Sequence, residues 1–126
     1  MPTAEPHTEK LQFEIIRYSK LNGYEATKFD SLICSCNHTD FKLFSDDVEG
    51  GCSAECLNCN QSISVCESAD YMEEVLQNIC NCGNESLQII TGLAFYEDST
   101  DIRWIYVGAS CQMCNLVGVY VDWNEH

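Results

Sequence analysis

Apolar and polar positions along this chain change period repeatedly, and the changes mark out short elements. Residues 1–9 read as a loose tail. Leu11, Phe13 and Ile15 alternate ahead of Asn22-Gly23, a dipeptide suited to a tight hairpin turn, so two strands are the first reading of residues 10–33. The same stretch also fits a helix over 8–21 closed by Gly23, with Leu11, Ile15, Tyr18 and Leu21 as its apolar set. Phe41-Lys-Leu-Phe44 reads as a strand, Asp46-Asp-Val-Glu-Gly-Gly51 as an acidic turn, and Gln61-Ser-Ile-Ser-Val65 as an alternating strand. Met72, Val75, Leu76 and Ile79 fall at helical spacing behind Asp70-Tyr-Met-Glu73, which has the form of a capping box, and predict a helix over 70–79. Leu87–Tyr96, Ile102–Val107 and Leu116–Trp123 read as three strands, with Glu97-Asp-Ser-Thr-Asp101 at the tip between the first two. Strand parity puts Trp104 with Tyr106 on one sheet face, and Val119, Val121 and Trp123 together on one face. The longest apolar stretch, Leu87–Tyr96, includes Gln88 and Thr91 and is too short to span a bilayer.

The cysteines supply the strongest pattern. Cys34-Ser-Cys36 is followed after 19 residues by Cys56-Leu-Asn-Cys59, and Cys80-Asn-Cys82 after 28 residues by Cys111-Gln-Met-Cys114. A two-cysteine turn, a hairpin-sized stretch and a second two-cysteine turn is how one short chain builds a tetrahedral four-thiolate zinc site. The first pairs are offset by 46 residues and the second pairs by 55, the nine extra residues lying in the longer second hairpin. Ile33 matches Ile79, and Ala54 matches Ala109, so the unit is duplicated with one loop lengthened. The residues that follow the pairs are Asn37, Asn60, Gly83 and Asn115, types that tolerate the left-handed backbone a metal-binding turn requires there. A disulfide scaffold is the alternative. Against it, Met-Pro-Thr-Ala-Glu-Pro-His has no basic region leading into an apolar run, and closely spaced pairs suit convergence on one ion. Each half also holds too little core to stand unstapled.

Both units resemble zinc ribbons, a superfamily with two metal-binding knuckles and a three-stranded antiparallel sheet. The resemblance covers residues 33–66 and 79–123, and both first knuckles depart from the usual ribbon in being Cys-x-Cys. The resemblance implies an α+β, mostly β fold: tandem zinc ribbons joined by a short helix, with an N-terminal hairpin or helix. The expected divisions are a tail and extension over 1–32, a first ribbon over 33–68, a connecting helix over 69–79 and a second ribbon over 80–126. Two structural Zn2+ ions are expected, held by Cys34, Cys36, Cys56 and Cys59 and by Cys80, Cys82, Cys111 and Cys114. Each site is closed by four thiolates, so no position is left for catalysis.

His38 could stand in for one cysteine of the first set, but Cys59 already occupies the expected turn, and a donor to a thiolate is the better reading of it. His7 and His126 read as tail residues. Cys52 and Cys66 are surplus, and Glu67 and Asp70 disfavour a reactive thiolate at Cys66. Asn37, Asn60 and Asn84 begin glycosylation sequons, but their place beside the cysteine turns is explained by turn chemistry.

Charge narrows the function class. Residues 1–43 hold six acids and five bases, a net of −1, and residues 44–126 hold fourteen acids against Arg103 alone, a net of −13. Such a surface repels nucleic acid and anionic membrane and speeds encounter with a basic protein. The leading expectation is a cytoplasmic, non-enzymatic protein-interaction module, most concretely an inhibitor or immunity-type protein directed at a basic nucleic-acid-processing partner. A thiol-based redox switch using Cys52 or Cys66 is one alternative, and a nucleic-acid- or transcription-associated ribbon is another.

Overall fold

The computed structural model describes residues 6–125. Its first element is a helix, α1 (Pro6–Asn22), so the hairpin reading of this region is corrected in favour of the helix. Pro6 opens it, where a missing N–H costs nothing. Gly23, at φ 91°, closes it: the Gly23 amide donates to the Lys20 carbonyl and the Tyr24 amide to the Ser19 carbonyl, the paired bonds of a Schellman cap. The backbone freedom that makes Asn-Gly a hairpin signal thus serves here to end a helix. Leu11 and Ile15 are fully buried on the inner face of α1, whereas Phe13 and Leu21 are exposed, so period 3.6 wins over the apparent alternation. Residues 6–9 belong to this helix and not to the expected loose tail, while residues 1–5 and His126 lie outside the described residues.

Among the described residues eight strands follow: β1 (Lys28–Ser31), β2 (Phe41–Asp46), β3 (Gly51–Cys56), β4 (Ser62–Ser64), β5 (Leu76–Asn78), β6 (Leu87–Phe95), β7 (Ile102–Cys111) and β8 (Val117–Asn124). They form an antiparallel sheet in the order β4-β3-β2-β6-β7-β8, with β1 added to β6 and β5 to β2. The fold is therefore mostly β with one α-helix among the described residues.

The sheet carries the sequence repeat. Phe41 pairs with Cys56, Leu87 pairs with Cys111, and Phe41 and Leu87 pair with each other where β2 meets β6. Phe41 and Leu87 are 46 residues apart, the offset of the first cysteine pairs. β4 and the start of β8 are likewise 55 apart, the offset of the second pairs. Cys56, Phe41, Leu87 and Cys111 thus lie in a row across four strands, which puts the two outer cysteines at most about 15 Å apart.

The inner faces of both halves share one core. Phe41 and Leu43 of β2, Cys52 and Ala54 of β3, Leu87 and Ile89 of β6, Ile105, Val107 and Ala109 of β7, and Val121 and Trp123 of β8 form a single buried cluster. The opposite face of β6 and β7 carries a second cluster, in which Leu11 and Ile15 of α1 meet Ala26, Ile90, Ala94 and Tyr106. Trp104 and Tyr106 do share this face, as parity predicted. Val119 does not lie with Val121 and Trp123. Val107 pairs with Val121 while Gly108 pairs with Val119, so Tyr120 is an extra residue in the ladder. The bulge reverses parity, sending Val119 towards α1 and Val121 and Trp123 into the inner core.

Two glycines let α1 approach. A Cβ on Gly92 would lie 2.7 Å from Cγ2 of Ile15 and 3.2 Å from Cβ of Ala26, and one on Gly108 would lie 2.9 Å from Leu11 and Ile15 methyls. Cγ2 of a β-branched residue cannot swing away, so Gly92→Ala must push the helix off the sheet. We expect a loss of about 1–3 kcal/mol, read from the urea midpoint at unchanged m-value.

The expected helix over 70–79 is absent. Ala69–Tyr71 makes one 3-10 turn, Met72 is extended, and Leu76–Asn78 is strand β5 on the edge of β2. The cause is Asp46. Its Oδ2 accepts the amides of Glu73 and Glu74 at 2.9 and 3.0 Å, donors that the expected helix would give to the Asp70 side-chain cap and the Asp70 carbonyl. Val75, Leu76 and Ile79 are exposed at 50%, 65% and 49%, so most of the periodic apolar stripe stays out of the core.

Candidate metal centres

Four short turns hold the eight paired cysteines, and the two turn types repeat in backbone detail. In each Cys-x-Cys turn the first cysteine's amide donates four residues ahead, Cys34 to the His38 carbonyl and Cys80 to the Asn84 carbonyl. The residue after the pair donates back, Asn37 to Cys34 and Gly83 to Cys80. In each Cys-x-x-Cys turn Cys56 donates to Gln61 and Cys111 to Leu116, while Asn60 donates back to Cys56 and Asn115 to Cys111. Asn37, Asn60, Gly83 and Asn115 have φ of 71°, 63°, 93° and 62°, the left-handed geometry their residue types foretold. Turn geometry thus accounts for two of the three sequon asparagines. The third, Asn84, turns its amide to the Ser86 carbonyl and the Cys111 sulfur.

The turns bring the sulfurs into two groups, Cys34, Cys36, Cys56 and Cys59 and then Cys80, Cys82, Cys111 and Cys114, with all four sulfurs of a group within 4.8 Å of one another. Close approaches are 3.4 Å for Cys34–Cys59, 3.6 Å for Cys36–Cys56, 3.4 Å for Cys80–Cys114 and 3.5 Å for Cys82–Cys111. A tetrahedron with Zn–S bonds of about 2.3 Å has edges of about 3.8 Å. No cysteine is disulfide-bonded. Either group could hold a metal ion, and an all-thiolate donor set at this spacing suits zinc.

Protonation equilibria lead to the same place. The Asn58 amide, followed by the His38 backbone N–H, brings the Cys36 thiol down to about 5. The Gln61 N–H favours a Cys59 thiolate, but hydrogen bonding to Cys34 and burial outweigh it and push that thiol up to about 12. In the second group burial opposes ionisation of Cys111, yet the Asn84 amide and backbone donors bring it down to about 6. Cys80 receives the Cys82 N–H, but burial and the Cys114 thiol push it up to about 12. Each group therefore combines a thiol that ionises easily with one that burial and hydrogen bonding to the neighbouring thiols keep protonated. A bound dication removes that conflict and deprotonates all four.

The neighbouring residues take other parts. His38 Nδ1 lies 3.5 Å from the Cys36 sulfur and 3.2 Å from the Cys36 carbonyl, beside the first group and outside it. Cys52 is fully buried in the core, and burial pushes its thiol pKa up. Cys66 is exposed, in a left-handed conformation at φ 52°.

Asp46, the first residue of the expected acidic turn, departs most from that reading. It is buried, and its carboxylate accepts four backbone amides, from Val48, Glu49, Glu73 and Glu74. The Glu73 N–H and the three other amides lower its pKa to about 2. Its stabilising contribution is complete above the ordinary value of 3.8 and is lost as pH falls from there through about 2. Thiolate ligation fails at higher pH than this, so the clean test is Asp46→Asn at pH 7. Hydrogen exchange at the Glu73 and Glu74 amides should then speed by about tenfold or more, with Val48 and Glu49 following.

Comparison of the chain with family models, with curated proteins and with solved structures finds no match.

Proposed function

We propose that the chain is a tandem zinc-ribbon protein, with one ribbon over 33–68 and a second over 80–126, that works without catalysis as an acidic protein-binding module. The carrying observation is the charge of residues 44–126, fourteen acids against Arg103 alone. That one guanidinium lies over aromatic rings, 4.2 Å from the Tyr24 centroid and 5.1 Å from that of Tyr96. Two four-thiolate zinc centres would each add a charge of −2.

Tertiary structure concentrates the acids further. The β2–β3 turn and the segment before β5 bring Glu49, Glu73 and Glu74 around a shallow cleft at Val48, whose side chain is 87% exposed. An apolar centre inside an acidic rim fits a partner surface that presents basic residues around an apolar one. A basic nucleic-acid-processing enzyme, inhibited by occlusion of its phosphate-binding surface, is the most specific form of this reading. The cytoplasm is the compartment proposed, in keeping with reduced thiols. No helix among the described residues is long and apolar enough to cross a membrane.

The immobilised chain, zinc-loaded, should retain basic proteins from a lysate at about 50 mM salt and release them at about 500 mM, where screening shortens to a few ångströms. Retention of no basic protein, or retention indifferent to salt, would count against the reading. A gel shift with single- or double-stranded nucleic acid at the lower salt should be negative.

A further inference from the structure

The two cysteine groups differ in how their second ligand is covered, and the repeat makes the comparison an internal control. Cys36 and Cys82 are equivalent, and each receives a backbone N–H from two residues ahead, that of His38 or Asn84. Cys36 is half-buried, and the Asn58 amide donates to its sulfur at 3.6 Å while the His38 ring lies at 3.5 Å. Cys82 is exposed. The position equivalent to Asn58 is Met113, 77% exposed, whose side chain carries no N–H donor, and the Asn84 amide turns instead to the buried Cys111 at 3.3 Å. Cys82 and Cys114 line an open cleft of about 390 Å³ with Gly83, Asn84 and Met113. A Cβ at Gly83 would meet nothing within 4 Å, so the approach is clear.

A hydrogen bond to a metal-bound thiolate draws off the electron density that makes it a nucleophile. We propose that the second centre, entered at Cys82, is a modification site for soft carbon electrophiles of the α,β-unsaturated carbonyl class. The thiolate forms an S–C bond to the β-carbon, the C=C π bond breaks, and the α-carbon takes a proton from water. The product is a neutral thioether, a poorer ligand than the thiolate it replaces. Loss of that ligand removes the staple beneath Leu87 and the shared core, so the chemical event is converted into loss of the interaction module.

The test uses two-zinc protein in a Cys66→Ser background, N-ethylmaleimide below one equivalent and mass spectrometry of the labelled peptides. Cys82 should be labelled at least about tenfold faster than Cys36, with zinc appearing in a chromogenic chelator at the same rate. Met113→Asn should slow labelling of Cys82 several-fold, and Asn58→Met should raise that of Cys36. Equal rates at Cys82 and Cys36 in the two-zinc protein, or exchanges that leave both rates where they were, would overturn this proposal and leave the zinc reading standing. A preparation without bound metal would overturn both.

Discussion

Replacing either Cys56 or Cys111 by serine should leave a chain that does not fold. Both sulfurs are buried, and each sits at the strand position that anchors its half of the sheet, opposite Phe41 or Leu87. A structural zinc ion of this kind contributes about 10–16 kcal/mol at neutral pH, as much as or more than the whole stability of a small domain, about 5–15 kcal/mol. The loss should not stay local. Residues of both halves form one cluster, so an unfolded half exposes the inner face of the other. Circular dichroism of each variant should lack the sheet signal and its amide resonances should collapse into the random-coil range. Cys66→Ser, at an exposed position outside both sulfur groups, should be folded and serves as the control. A Cys56→Ser chain with the melting temperature of the parent would show that metal is not the staple.

The junction of the halves carries the second large effect. Phe41 and Leu87 are fully buried and pair directly, and theirs is the one residue pair that joins β2 to β6 among the described residues. Phe41→Ala should cost about 3–5 kcal/mol and Leu87→Ala about 2–5 kcal/mol, since each leaves a cavity in the shared core where β2 meets β6. Because the side chains touch the same space, the double variant should fall short of the sum by about 0.5–3 kcal/mol. Urea titrations of the zinc-loaded proteins measure all three. Where an alanine variant fails to fold, Phe41→Leu and Leu87→Val report the same coupling at smaller cost. Strict additivity would mean that the two halves are stabilised independently.

What the sequence made legible is local, and what it concealed is long-range. The four turns were readable because cysteine spacing and the asparagine or glycine that follows are both short-range chemistry, and the φ values at Asn37, Asn60, Gly83 and Asn115 agree. The N-terminal segment was ambiguous because Leu11 and Ile15 satisfy both periods, and only the surface they pack on decides between them. The helix expected over 70–79 yields to a carboxylate 27 residues upstream of Glu73, which no window of local pattern contains. Strand β3, Gly-Cys-Ser-Ala-Glu-Cys, has little strand signature. Its small residues answer to tertiary crowding instead: a Cβ on Gly51 would lie 2.7 Å from the Ser68 carbonyl oxygen. Asp122 was likewise silent in the sequence, yet it receives Tyr18 Oη and Trp104 Nε1 at 2.8 Å each, tying α1 to the outer strands. That bond and burial hold the Tyr18 phenol up at about 12, with burial the larger cause.

Native mass spectrometry of reduced, freshly purified protein addresses the metal directly. The mass should exceed that of the apo chain by two zinc ions less the protons displaced from eight thiols, and acidification should return the fully reduced apo mass. A metal-free native mass, or an acidified mass short by the hydrogens of intrachain disulfides, would contradict two tetrathiolate centres as the basis of this fold.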